Sequence, residues 1–121
     1  MFYILPMERL LIVDDDAAHL RTVGEIFESR FEVMLADTAE EGLRIVEEIR
    51  GIHAVISDLD LPGMSGVDLL ERIRKVEERI RRVLMSAQFS DPGFKPESVE
   101  RAAAHELIPK PIDVRRLRKA V

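Results

Sequence analysis

Leu10-Leu11-Ile12-Val13-Asp14-Asp15-Asp16 sets four consecutive large aliphatic residues directly before three carboxylates. A strand with one wet face alternates apolar and polar side chains, whereas an unbroken apolar run belongs to a strand covered on both faces. Ala54-Val55-Ile56 and Val83-Leu84-Met85 repeat the pattern, and the three runs predict interior strands of a parallel sheet. Residues 31–36 are interrupted by Glu32 and predict an edge strand. Leu107-Ile108-Pro109 contains a proline, which the interior of a sheet excludes, and predicts the other edge.

The segments between these strands have helical spacing. Leu20, Val23 and Phe27 form one stripe, and Val67, Leu70 and Ile73 another. Thr38-Ala39-Glu40-Glu41 predicts a capping box, in which Thr38 and Glu41 satisfy each other's free amides ahead of Leu43 and Val46. Pro96 suits the first turn of a fourth helix with Val99, Ala102 and Ala103 inward, and Val114, Leu117 and Val121 mark a fifth. Strand and helix thus alternate five times. Right-handed crossovers of this size predict an α/β fold, a doubly wound five-stranded parallel sheet.

Length and composition fit that architecture. A chain of 121 residues is one domain, and 46% hydrophobic with 34% charged residues describes a packed core with a solvated surface. The absence of cysteine excludes disulfides, thiolate zinc sites and a thiol nucleophile. No apolar run reaches membrane-spanning length, and the start has no basic leader, so a cytoplasmic location is expected. The domain is expected over 7–121, with residues 1–6 an extension. A net charge of −5 argues against nucleic-acid binding by the domain. Arg115, Arg116, Arg118 and Lys119 are read as the solvated face of the last helix, whose basic, abrupt end favours continuation into an output domain.

The polar residues fall where the strands end. Asp14, Asp15 and Asp16 follow the first strand, Asp58 closes the third, Ser86 the fourth and Lys110 the fifth. In an open parallel sheet these ends share one edge, where ligands bind. Clustered carboxylates repel one another unless a cation joins them. Mg²⁺ suits such a set, because it takes carboxylates together with water and phosphate oxygens. A lysine, a hydroxyl and one spare carboxylate as nucleophile complete the parts for phosphoryl transfer. Asp16 is expected only to cap the first helix. Pro62-Gly63 reads as a plain turn, and His19, His53 and His105 lack ligand-like spacing and are read as structural or exposed.

Four stretches then resemble the receiver domains of two-component response regulators: Leu11-Ile12-Val13-Asp14-Asp15-Asp16, residues 57–66 from Ser57-Asp58-Leu59-Asp60 to Gly66, Val83-Leu84-Met85-Ser86-Ala87, and Pro109-Lys110-Pro111. They stand in the family's order from about Met7 onward. The resemblance implies a flavodoxin-like strand order of 2-1-3-4-5, with Asp58 as phosphoacceptor. It also implies Asp15 as direct Mg²⁺ ligand (Mn²⁺ as substitute), Asp14 acting through water, and the backbone carbonyl of Asp60 on the metal. Ser86 becomes the hydroxyl that moves to the phosphoryl group, Lys110 its charge partner, and the Lys110-Pro111 bond cis. The implied partners are a sensor histidine kinase or phosphotransfer protein. A second copy or an output domain would dock on helix four, strand five and helix five. Such a domain is no enzyme beyond its own phosphorylation and dephosphorylation.

Two positions depart from the family. Leu107 stands where an aromatic residue is common, and Ala103 where many members have glycine at the end of helix four. Residues 88–96 are also long and proline-rich. The signal is therefore expected to appear as movement of residues 86–96 rather than as rotation of a ring. A haloacid-dehalogenase-type phosphotransferase using Asp58-Leu59-Asp60 is the enzymatic alternative. Against it, that motif usually opens the chain, whereas here the acidic pair comes first. A phosphorylation-independent interaction module is the other alternative.

Overall fold

The computed structural model describes residues 6–121. The proposed extension therefore lies almost wholly outside the described residues. The elements are β1 (Glu8–Val13), α1 (Ala17–Phe27), β2 (Phe31–Ala36), α2 (Ala39–Glu48), β3 (Ile52–Asp58), α3 (Gly66–Val76), β4 (Arg81–Ser86), β5 (Glu106–Pro109) and α4 (Val114–Ala120). Short 3₁₀ helices over Ala87–Ser90 and Pro96–Ala102 lie between β4 and β5. All strand pairs are parallel in the order β2-β1-β3-β4-β5.

The apolar runs are buried on both faces, and their two-residue period sorts them. Leu11, Val13, Val55 and Leu84 pack under α2, α3 and Val99 on one side. Leu10, Ile12, Ala54, Ile56, Val83 and Met85 pack under α1 and α4 on the other. Leu20, Val23 and Phe27 of α1 and Val67, Leu70 and Ile73 of α3 are buried as their spacing predicts.

Four local expectations need correction. The capping box is half formed: Thr38 Oγ1 accepts from the Glu41 N–H at 3.1 Å, but the Glu41 carboxylate takes the Arg44 guanidinium one turn on. The fourth helix is a 3₁₀ helix rather than an α-helix. Pro96 stands at its first position, where the missing N–H costs nothing, and sets where it starts. Its other end is fixed by Ala103, whose φ of 47° is left-handed, and i→i+3 bonding spans the seven residues between. Ala103 is thus a cap and only half-buried. Val114 stays exposed, and the last helix packs through Leu117 and Ala120 with Ile112 and Val121 flanking them.

The position that departs from the family's glycine is therefore one where glycine fits better. An L-residue in the left-handed region costs about 1–2 kcal/mol. Part of the gain from glycine is offset by its unfolded-state entropy. Ala103→Gly should stabilise the domain by up to about 1 kcal/mol, read as a higher urea midpoint at unchanged slope.

Candidate functional site

Register places the site. Val13 pairs with Ser57, Asp58 with Met85, and Ser86 with Pro109, so Asp14, Asp58, Ser86 and Lys110 emerge almost level. Three further backbone bonds continue the ladder past the strand ends: Asp14 N–H to Ala36 O, Leu59 N–H to Met85 O, and Lys110 N–H to Ser86 O. Asp14, Asp58, Ser86 and Lys110 are therefore held by the sheet, whereas Asp15 and Asp60 lie on the loops that follow β1 and β3.

Asp14 and Ser86 are buried, Asp58 nearly so, and Asp15 is exposed at the rim. Asp14, Asp15 and Asp58 each offer a carboxylate oxygen within 4.8 Å of the others. Lys110 Nζ lies 3.2 Å from Asp58 Oδ1 and 3.6 Å from Asp14 Oδ2. The Asp58 carboxyl is raised above the ordinary carboxylate range, first by burial and then by Asp14 and Asp60, with Lys110 opposing. The donor set therefore fits a hard divalent cation: three oxygen anions converge and one ammonium faces them. Asp16 caps α1 as expected, accepting from the Ala18 and His19 N–H groups. Lys110-Pro111 is cis.

Sequence reasoning did not single out two side chains that touch this cluster. His19, read as structural or exposed, is half-buried in the first turn of α1, where its Nδ1 meets Asp14 Oδ2. Gln88, two residues past Ser86, donates from Nε2 to Asp60 Oδ1 at 2.8 Å. Ser86 Oγ accepts from the Gln88 N–H at 3.0 Å and reaches Asp60 Oδ2 at 3.5 Å. The offset of two after a strand-end serine was the available signal for Gln88. For His19 there was none beyond its nearness to the acidic run. His53 pairs with Glu8 and stacks on Phe31, and His105 Nδ1 accepts from the Arg82 N–H, so these two are structural.

Because folding raises the Asp58 pKa, the folded metal-free domain holds that proton more tightly than the unfolded chain. The resulting stability is present below the ordinary pKa of 3.8 and is lost as pH rises through the raised value. Asp58→Asn should therefore stabilise the metal-free domain at pH 7 and give a smaller gain at pH 4.5, measured by denaturant titration with chelator present.

Residues 10–121 match the response regulator receiver domain family. The chain belongs to that family. The receiver domain is 31% identical over 115 residues to the sporulation initiation phosphotransferase F of Bacillus subtilis, covering 94% of this chain and 90% of that protein. It is 36% identical over 116 residues to the DNA-binding transcriptional regulator NtrC of a Bradyrhizobium, but spans only 23% of that longer protein. Among solved structures, a CheY-like response regulator receiver domain protein from Methanospirillum hungatei superposes with a TM-score of 0.82 at 32% identity, over 93% of this chain and 89% of that one. The fold and the two-component signalling role expected from the sequence both stand. The dehalogenase-type alternative is not favoured, and the Asp60 carboxylate is engaged by Gln88 and Ser86. No helix among the described residues is long and apolar enough to cross a membrane.

Proposed function

We propose that this receiver domain takes a phosphoryl group onto Asp58 from the phosphohistidine of a cytoplasmic sensor histidine kinase or phosphotransfer protein. An Asp58 carboxylate oxygen attacks phosphorus, the P–N bond breaks with its electron pair passing to the imidazole, and an acyl phosphate results. Water later attacks that phosphorus, returning the carboxylate and inorganic phosphate. The observation that carries this reading is the Lys110 ammonium 3.2 Å from a nearly buried Asp58 at the end of a core strand.

The remaining residues serve charge and position. Mg²⁺ (or Mn²⁺), held by Asp15, Asp58 and the Asp60 carbonyl with Asp14 acting through water, would supply the charge neutralisation that a loose phosphoryl transition state rewards. Lys110, 3.2 Å from Asp58 Oδ1, would neutralise charge that develops on the phosphoryl oxygens. Ser86, buried and only loosely tied to Asp60 at 3.5 Å, is free to donate to a phosphoryl oxygen.

Readout passes through what moves with Ser86. Leu107 is half-buried and packs on the core, offering no ring to turn inward. The Ala87–Ser90 turn begins at Ser86 and carries Phe89, which meets Phe94 edge-on at 4.9 Å. Withdrawing Ser86 from the Gln88 N–H would therefore shift that aromatic pair and the start of the Pro96–Ala102 helix. The surface altered, made by that helix, β5 and α4, would meet a second copy or an output domain.

Incubation with a small acyl-phosphate donor and Mg²⁺ should add one phosphoryl group, labile to hydroxylamine. Asp58→Asn should abolish it. Undiminished labelling of that variant would refute the assignment, and no labelling of the wild type would favour a phosphorylation-independent module.

A further inference from the structure

We infer that Glu40 is a positioning residue for the loop that carries the phosphoacceptor, clamping it to α2 through the backbone of Met64. The inference rests on the proposed phosphoryl chemistry. Glu40 Oε1 accepts from the Met64 N–H at 3.0 Å, across 24 residues of sequence. That bond draws the Glu40 carboxyl below its ordinary range. The fit is close from the loop side as well. Gly63 has φ of 75°, and a Cβ placed on it would lie 3.0 Å from Glu40 Oε1.

Glu40 is mounted on something rigid. Thr38 caps α2, so Glu40 lies in its first turn. Gly42, two residues on, lies so close to β1 that a Cβ there would be 2.9 Å from Val13 Cγ2. The helix is thus seated on the residue directly before Asp14, and Glu40 carries that position across to the loop after Asp58. Leu61, buried in the core, anchors the middle of that loop. The Asp60 carboxylate reaches the far side through Gln88. With Glu40 in place, the backbone of residues 60–64 is tied on both sides, which fixes where the Asp60 carbonyl stands relative to Asp14 and Asp15.

The clamp is separable from simple charge. Glutamine keeps an acceptor oxygen while removing the negative charge, and alanine removes both. Mn²⁺ titration, amide exchange at Met64 in the metal-free protein, and denaturant stability are measured on wild type, Glu40→Ala and Glu40→Gln. Glu40→Ala should weaken Mn²⁺ binding about threefold, less than the roughly tenfold or more that follows loss of a partner bonded directly to a metal ligand. It should also speed exchange at Met64, with little change in the denaturation midpoint. Glu40→Gln should restore most of the affinity and protection. Gly63→Ala, which brings a Cβ to 3.0 Å from the same carboxylate and strains a backbone of φ 75°, should weaken Mn²⁺ binding in the same direction but also lower the denaturation midpoint. Equal Mn²⁺ affinity in wild type and Glu40→Ala, or equal losses in both Glu40 variants, would overturn the clamp while leaving the phosphoacceptor reading intact. A wild type that neither binds Mn²⁺ nor takes label would overturn both.

Discussion

Alanine at position 66 should cost this domain on the order of 3 kcal/mol, the upper end for an overpacked site, and should strip Asp58 of its reactivity. Gly66 opens α3, and a Cβ built there would lie 2.1 Å from the carbonyl oxygen of Asp58 and 3.0 Å from its carbonyl carbon and from Leu59 Cα. Backbone cannot escape by changing rotamer. The segment is pinned from the other side as well, since the Gly66 N–H donates to Leu59 O at 3.0 Å. The helix start or the end of β3 must therefore shift, and with it the side chain beside Lys110. Urea denaturation measures the first effect and acyl-phosphate labelling of the folded fraction the second. A Gly66→Ala variant matching wild type in both would mean that the approach is looser than this geometry.

Arg82→Met should destabilise by a similar amount through a different cause. The Arg82 side chain is buried and faces carbonyls rather than a carboxylate. Its guanidinium donates to Ala103 O at 3.1 Å and to Glu78 O and Ile80 O at 2.9 Å each. Burial lowers its pKa, yet the charge is held by three backbone dipoles. Methionine fills much of the volume but leaves those carbonyls without a donor, each worth about 1–3 kcal/mol where water cannot reach it. A loss on the order of 3 kcal/mol is expected from denaturant titration. Amide exchange should quicken in the Pro96–Ala102 helix, whose left-handed end at Ala103 the guanidinium holds. A midpoint unchanged from wild type would mean that water replaces Arg82 without cost.

The fold was legible because its signal was redundant. Four adjacent aliphatic residues at 10–13, matched at 54–56 and 83–85, point to strands covered on both sides, and burial on both faces bears it out. The site was legible because Asp14, Asp58, Ser86 and Lys110 each stand at a strand end, and parallel register turns such positions into neighbours. What stayed hidden depends on competition between nearby groups. Arg44 takes the carboxylate that a capping box would need, and Ala103 in the left-handed region ends after seven residues the expected α-helix, which closes as 3₁₀. The Glu40–Met64 bond joins residues 24 apart, and nothing in a helical glutamate announces a partner at that distance. His19 stays hidden because spacing rules look for ligands, and its ring instead meets one of the carboxylates.

The measurement that tests the phosphoacceptor assignment most directly is chemical location of the phosphoryl group. After labelling with an acyl-phosphate donor and Mg²⁺, borohydride reduction converts an aspartyl phosphate into homoserine, and fragmentation of the peptide locates it. Homoserine at position 58 alone is the expected result. Homoserine at Asp14, Asp15 or Asp60, or a label that resists reduction, would contradict it.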